Sequence, residues 1–130
     1  MNIFTEVTAG IKVSVETFYQ PTHSTPGFSQ YVFAYRITIT NDSDYIVQLK
    51  KRHWHIIGSD NSHREVEGDG VVGEQPLLKP GQSFTYTSGC ELMSEMGFMK
   101  GFYTFKNLSN GKLFQVIVPT FKLIYPPRLN

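Results

Sequence analysis

The chain has 130 residues, of which 40% are hydrophobic and 14% aromatic, and its formal net charge is only +1. This length and composition predict a single ordered domain, residues 1–130, whose core needs no disulfide and no cofactor. The charge excludes the strongly basic surface typical of nucleic-acid binding, and no apolar run reaches the roughly twenty residues of a membrane span.

Apolar and polar residues alternate with period 2 along most of the chain, and helical periodicity is nearly absent. This pattern predicts an all-β protein. Seven strands are predicted at residues 11–19, 30–40, 45–57, 63–67, 83–87, 98–107 and 112–118. The third strand is long enough that we expect it to bend or to carry a bulge. After Pro119, the last piece at residues 121–125 is predicted to lie at a sheet edge, and one helical turn is predicted at residues 91–95.

Turn-forming residues separate these strands. They cluster at residues 21–27, at residues 41–44, at Pro80-Gly81 and at Ser109-Asn110-Gly111, the last being an Asn-Gly hairpin signal. Short strands with turns spaced in this way are typical of an immunoglobulin-like or fibronectin type III-like β-sandwich of about seven strands. A β-barrel is the alternative.

The glycine-rich run GDGVVG at residues 68–73 matches the GxGxxG string of dinucleotide-binding proteins. In those proteins the third glycine opens a helix whose N–H groups meet the phosphates. Here Pro76 and Pro80 follow, so the sequence predicts a loop that crosses between sheets, with glycines that accept positive φ. The alternative is an anion- or nucleotide-binding nest of backbone N–H groups at Gly68, Gly70 and Gly73.

A second candidate site is formed by histidines. His53 and His55 are two residues apart on a predicted strand, so both project from one face, as metal ligands do. If the following hairpin loop is residues 60–62, Glu67 lies opposite His55 and completes a His-His-Glu set, whereas a two-residue loop puts Glu67 on the other face. In both registers His63 lies about four residues along the strand from His55, so a tri-histidine site is excluded.

The alternative for these histidines is that they are partly exposed strand residues without a ligand. Trp54, which lies between them in sequence, is predicted to point to the opposite face and to pack in the core or at a sheet edge. Lys50, Lys51 and Arg52 alternate faces on the same strand, which favours a solvated surface over a concentrated positive charge.

Catalytic arrangements have little support in the sequence. The single cysteine, Cys90, follows Ser88-Gly89 without a nearby base and is predicted to be packing, so we expect no enzyme activity. A lone cysteine forms no intrachain disulfide, and the amino terminus lacks a secretory signal. These features favour a cytoplasmic location.

Several segments together resemble the ApaG family in order and spacing. They are Arg52-His53-Trp54, the run at residues 68–76, the run at residues 79–90, and then Gly97, Met99, Gly101 and Tyr103. The resemblance covers nearly the whole chain, although His55 and His63 depart from the family's usual residue types.

This resemblance implies a fibronectin type III-like sandwich in a bacterial cytoplasmic protein, and an association with cobalt resistance and magnesium efflux. It brings no catalytic residues. Similar domains are modules of larger eukaryotic proteins, including an F-box protein and a polymerase-delta-interacting protein. We therefore expect a module that binds a protein partner through a sheet face or the loop at residues 68–76, without cofactor, nucleic acid or membrane. The alternatives are nucleotide or pyrophosphate binding and divalent-metal binding. A homo-oligomer is compatible with the sequence.

Overall fold

The computed structural model describes residues 3–129, with side chains up to residue 127. Within that range the chain forms nine β-strands. They are β1 (Ile3–Thr8), β2 (Ile11–Tyr19), β3 (Tyr31–Asn41), β4 (Val47–Gly58), β5 (His63–Asp69), β6 (Leu77–Leu78), β7 (Ser83–Leu92), β8 (Met96–Asn107) and β9 (Leu113–Ile124).

The strands form two antiparallel sheets that pack face to face. One sheet has the order β1-β2-β3-β7, and the other has the order β5-β4-β8-β9, with β6 added beside β4. The predicted sandwich is therefore confirmed. On one side of the sandwich β1 lies beside β9, where the Ile117 N–H donates to Thr8 Oγ1. On the other side the edge strands β5 and β7 leave a cleft between the sheets.

Alternation along the strands accounts for the shared core. Every second side chain is buried along β3, over residues 11–15 of β2 and over much of β9, and β8 buries Met99, Tyr103 and Phe105. The largest side chains that solvent barely reaches include Phe33, Tyr103, Phe105 and Phe121. Burying side chains of this size supplies most of the favourable free energy of a fold of this kind.

The strand count and the helix prediction need correction. Strand β1 was not predicted because most of its side chains are exposed and do not alternate, and β6 has only two residues. The helical turn predicted at residues 91–95 is wrong, because β7 continues to Leu92 and a bend leads directly into β8. Helical structure in the described chain is limited to short 3-10 turns at Pro21–His23, Pro26–Phe28 and Pro126–Leu129. None of the helices among residues 3–129 is long and apolar enough to cross a membrane.

The predicted strand end before Pro119 is wrong. Strand β9 runs through it, and the ladder to β8 shifts register between Met99 and Gly101, where two β9 residues face one on β8. Pro119 therefore lies in a bulge, where its missing N–H costs no ladder hydrogen bond. The segment after it does lie in an edge strand, as predicted.

The bulge predicted in the third strand is confirmed, and it determines which side chains of β4 face the core. The ladder from β4 to β8 shifts register between Leu49 and Lys51, so Lys50 is an extra residue. Leu49 is buried before the bulge and Trp54 after it, an odd number of residues later. Because of this switch in face, His53 and His55 lie on the outer face of the sheet.

One polar side chain is fully buried in the core of the described chain. The amide nitrogen of Asn41 donates to the carbonyls of Tyr45 and Leu78, and its oxygen accepts from the N–H and hydroxyl of Ser43. This amide therefore fills its hydrogen-bonding capacity and ties β3 to β6 across the crossover between sheets.

Candidate functional site

The β4–β5 hairpin places five candidate ligands on one outer face. His53 lies opposite Glu67, His55 lies opposite Glu65, and His63 lies opposite Ile57. The loop is Ser59 to Asn61, one residue earlier than predicted. Glu65, not Glu67, is therefore the direct neighbour of His55.

A three-residue turn sets this register. The Asn61 N–H donates to the Gly58 carbonyl, Gly58 N–H donates to the Ser62 carbonyl, and Asn61 has φ of 67°. A type I turn followed by a residue of positive φ is a common three-residue hairpin, and asparagine is well suited to the last position. That preference was the sequence signal that would have fixed the register.

The exclusion of His63 is wrong in this register. His63 is only two residues along the strand from the position facing His55, so the two side chains meet diagonally. His55 Nδ1 lies 2.9 Å from His63 Nε2, and their rings are 5.2 Å apart. The His53 ring stacks between the His55 ring and the Phe102 ring, with centroid distances of 5.1 and 5.0 Å.

Glutamates complete this group of side chains. Glu67 Oε1 lies 2.7 Å from His53 Nδ1, and Glu65 Oε1 lies 3.5 Å from His53 Nε2. Ligand atoms of His53, His55 and Glu65 all lie within 4.8 Å of one another. We call these three residues with Glu67 and His63 the outer histidine cluster.

The glycine run forms a tight turn that leads from β5 into β6 and not into a helix, as predicted. The expected crossing between sheets is wrong, because β5 and β6 both pair with β4 in one sheet. Val71 and Glu74 exchange two backbone hydrogen bonds, and between them Val72 and Gly73 have positive φ of 43° and 79°. A two-residue hairpin turn has this geometry. A side chain on Gly70 would overlap the Glu74 carbonyl, which requires glycine there.

Three backbone N–H groups of this turn already have acceptors. The N–H groups of Gly70, Val71 and Glu74 all donate to backbone carbonyls. Gly70 N–H and the Gln75 side chain both donate to the Lys50 carbonyl, so the turn holds the bulge of β4 in place.

Arg52 turns towards this glycine turn and not into open solvent. Its guanidinium lies over Gly68, where a side chain would collide with it, and Nη1 donates to the carbonyls of Asp69 and Gly70 at 3.0 Å. The bulge places Arg52 on the inner side of its sheet, apart from its basic neighbours. Loop carbonyls thus face a cation where the anion-nest hypothesis needs donors.

Between β5 and β7 the two sheets enclose a cleft of about 330 Å³. Its lining includes Tyr35, Arg52, Trp54, Arg64, Val72 and Ser88. We call this space the β5–β7 cleft. Within residues 3–127 neither Arg52 nor Arg64 forms an ion pair with a carboxylate.

Aromatic residues and a cysteine form the inner wall of this region. The hydroxyls of Tyr86 and Tyr103 are 2.6 Å apart and both rings are buried, and burial raises the pKa of each phenol. Cys90 is buried as predicted, and burial raises the pKa of its thiol to about 11 although Arg64 contacts the sulfur. A protonated, buried thiol is a poor nucleophile.

Comparison with known proteins gives a consistent result. A family model described as the ApaG domain matches residues 21–107. The chain is 48% identical to Protein ApaG of Brucella anthropi over 124 residues, which is 95% of each chain, and 45% identical to that of Mesorhizobium japonicum over the same extent. A crystal structure described as the putative ApaA protein from Bordetella pertussis superposes with a TM-score of 0.86 at 45% identity, covering 89% of this chain and 94% of the other. A protein from Archaeoglobus fulgidus, 9% identical with a TM-score of 0.51 and covering 85% of this chain and 94% of the other, shares the fold alone.

Proposed function

The chain belongs to the ApaG family, and from that premise we propose that it is a non-enzymatic, cytoplasmic module that binds an acidic segment of a protein partner in the β5–β7 cleft. The module would then affect cobalt resistance and magnesium efflux indirectly, through that partner.

The observation that carries the proposal is the pair of guanidinium groups in the cleft. Arg52 and Arg64 both line it, and no carboxylate within residues 3–127 forms an ion pair with either. Arg52 is half-buried and Arg64 is exposed at the cleft. Arginines favour planar anionic groups because the guanidinium donates two parallel hydrogen bonds to a carboxylate. An aspartate, a glutamate or a terminal carboxylate of the partner fits this chemistry.

Backbone and apolar features around the cleft support a peptide as the occupant. Strands β5 and β7 border the cleft, and each is the edge of its sheet. An edge strand presents N–H and C=O groups that an extended peptide can pair with. Val72 is 54% exposed at the rim, and Trp54 forms part of the cleft lining. An acidic residue flanked by apolar residues would therefore match the lining.

Nucleotide or pyrophosphate binding is the second candidate, because the same guanidinium groups would also attract phosphate. The glycine turn adds less to this candidate than its sequence suggests, since the N–H groups of Gly70, Val71 and Glu74 are already used. The buried thiol of Cys90 supports a role that does not involve covalent catalysis.

A peptide library displayed on phage tests the proposal. We expect selection on the folded chain to enrich peptides that contain Asp or Glu beside apolar residues. Fluorescence anisotropy with a selected peptide should then show binding that weakens as salt is raised. Arg52→Gln and Arg64→Gln should each weaken binding about tenfold or more, since a charge-assisted hydrogen bond contributes about 1.5–3 kcal/mol.

Arg36→Gln is the matched control. Arg36 is exposed on the outer face of β3 and pairs with Glu16, so its loss should leave peptide binding unchanged. Selected peptides without acidic residues, or binding insensitive to both cleft substitutions, would refute the proposal. Displacement of the peptide by equimolar pyrophosphate would favour the second candidate. If the free edge of β7 pairs with another copy of the chain and not with a peptide, sedimentation will show a dimer.

A further inference from the structure

We propose that the outer histidine cluster is a binding site for a divalent first-row transition metal ion of the zinc type. Its ligands would be His53, His55 and Glu65, with water in the remaining position. The site lies on the outer face of β4, on the other side of the sheet from the β5–β7 cleft, and it does not depend on the proposed function.

His53 supplies the first argument. Its Nε2 atom is buried from solvent and has no hydrogen-bond partner in the described chain. Glu65 Oε1 lies 3.5 Å from this atom without hydrogen-bonding geometry. Two ligands on one tetrahedral zinc ion are about 3.3 Å apart, given bonds of about 2.0 Å. The separation thus suits two atoms that share a metal ion.

Glu67 supplies the second argument, because it fixes the orientation of His53. Its carboxylate lies 2.7 Å from His53 Nδ1. A carboxylate that accepts a hydrogen bond from the far nitrogen of a metal-bound histidine selects the tautomer whose other nitrogen carries a lone pair. Glu67 therefore leaves Nε2 of His53 free to bind the ion.

His63 has the same relation to His55. The contact of 2.9 Å between His63 Nε2 and His55 Nδ1 requires one nitrogen to donate and the other to accept. When His55 donates through Nδ1, its Nε2 carries the lone pair. His63 is therefore a positioning residue in the proposed site, and each histidine ligand has an outer partner.

The ligand set determines the kind of ion. Two imidazoles and one carboxylate suit Zn²⁺ and related ions, whereas Mg²⁺ prefers oxygen ligands and retains its waters. Lys100 is opposite His55 on the neighbouring strand and Phe102 is opposite His53. Glu65 and Glu67 together offset two of the three positive charges that Lys100 and a divalent ion bring. Because the ligand atoms already lie within 4.8 Å of one another, small side-chain rotations would bring them onto one ion. Glu65 is 47% exposed and has room for such a rotation.

Isothermal titration calorimetry with Zn²⁺ on the full chain tests this site. We expect one ion to bind per chain, no comparable binding of Mg²⁺, and a rise in melting temperature that a chelator reverses. His53→Ala and Glu65→Gln should each weaken Zn²⁺ binding about tenfold or more, and Glu67→Gln should weaken it about 10- to 100-fold through its effect on His53.

The fourth histidine of the chain offers a matched control. His23 lies in an exposed 3-10 turn, apart from the cluster, so His23→Ala should bind Zn²⁺ as the unaltered chain does. Circular dichroism would verify that each variant is folded, and Glu65→Gln, an exposed change on an edge strand, should fold in any case. The proposal would be overturned if the unaltered chain did not bind Zn²⁺, if His53→Ala and Glu65→Gln bound it as tightly as the unaltered chain, or if His23→Ala lost binding.

Discussion

Replacing Gly70 by alanine should destabilise the protein much more than replacing Gly73, although both glycines belong to the same motif. Gly70 is buried, has φ of 64°, and leaves no room for a side chain beside the Glu74 carbonyl. Gly73 has φ of 79°, but a side chain there would meet nothing. The pair separates the cost of backbone conformation from the cost of steric overlap.

The expected magnitudes follow from these contacts. Positive φ costs a residue with a side chain about 1–2 kcal/mol, and this applies to both variants. Overlap at Gly70 must also displace the Val71–Glu74 turn, whose two hydrogen bonds contribute about 1 kcal/mol each. We therefore expect Gly70→Ala to lower the free energy of unfolding by about 3–4 kcal/mol, and Gly73→Ala by about 1–2 kcal/mol.

Urea unfolding monitored by tryptophan fluorescence measures both values. With a slope of about 2 kcal/mol per molar urea, the midpoints should differ by about 1 M. Equal stability of Gly70→Ala and Gly73→Ala would contradict the close contact between Gly70 and the Glu74 carbonyl.

Three further predictions concern the core. Asn41→Leu should lower the free energy of unfolding by about 2–4 kcal/mol in urea titrations, because it leaves the carbonyls of Tyr45 and Leu78 without their donor. An effect below that of a half-buried surface change such as Thr38→Val would contradict the role of Asn41 in tying β3 to β6. Alkylation of Cys90 by iodoacetamide should be slow in the folded chain and fast in urea, and rapid alkylation of the folded chain at neutral pH would count against burial. Burial raises the pKa of the folded thiol to about 11, whereas the unfolded thiol ionises at lower pH, so this group should reduce stability as pH rises from the unfolded to the folded pKa. Tyr86→Phe should lower the free energy of unfolding by about 1–2 kcal/mol, because it leaves the Tyr103 hydroxyl unpaired. In a double-mutant cycle measured in urea, changing both tyrosines to Phe should lower it by less than the sum of the single changes.

The sandwich was predictable because β3 and the first half of β2 alternate strictly between buried and less buried side chains. Strand β2 has the predicted bounds, and β3 buries Phe33, Ile37 and Ile39 on the face that the sequence indicates. Side-chain period alone identifies such strands, since one face must meet the core. The exposed strand β1 does not alternate, so the same reasoning did not detect it.

Predicting the candidate sites required information beyond periodicity. The outer histidine cluster depends on the register of the β4–β5 hairpin, and a shift of the loop by one residue changes that register. The position of Asn61, which has positive φ, determines where the loop lies. The cleft depends on the bulge at Lys50, which places Arg52 on the inner side. That bulge is held by hydrogen bonds from Gly70 and Gln75, which are distant in sequence.

The most direct test of the proposed function is to map a selected acidic peptide on the isotope-labelled protein by NMR. We predict that titration shifts the backbone amide signals of β5 and β7 and the side-chain Nε–H signals of Arg52 and Arg64, while signals of β1 and β9 stay constant. Shifts confined to the β1–β9 side, or no shifts at concentrations where the peptide binds, would contradict recognition in the cleft.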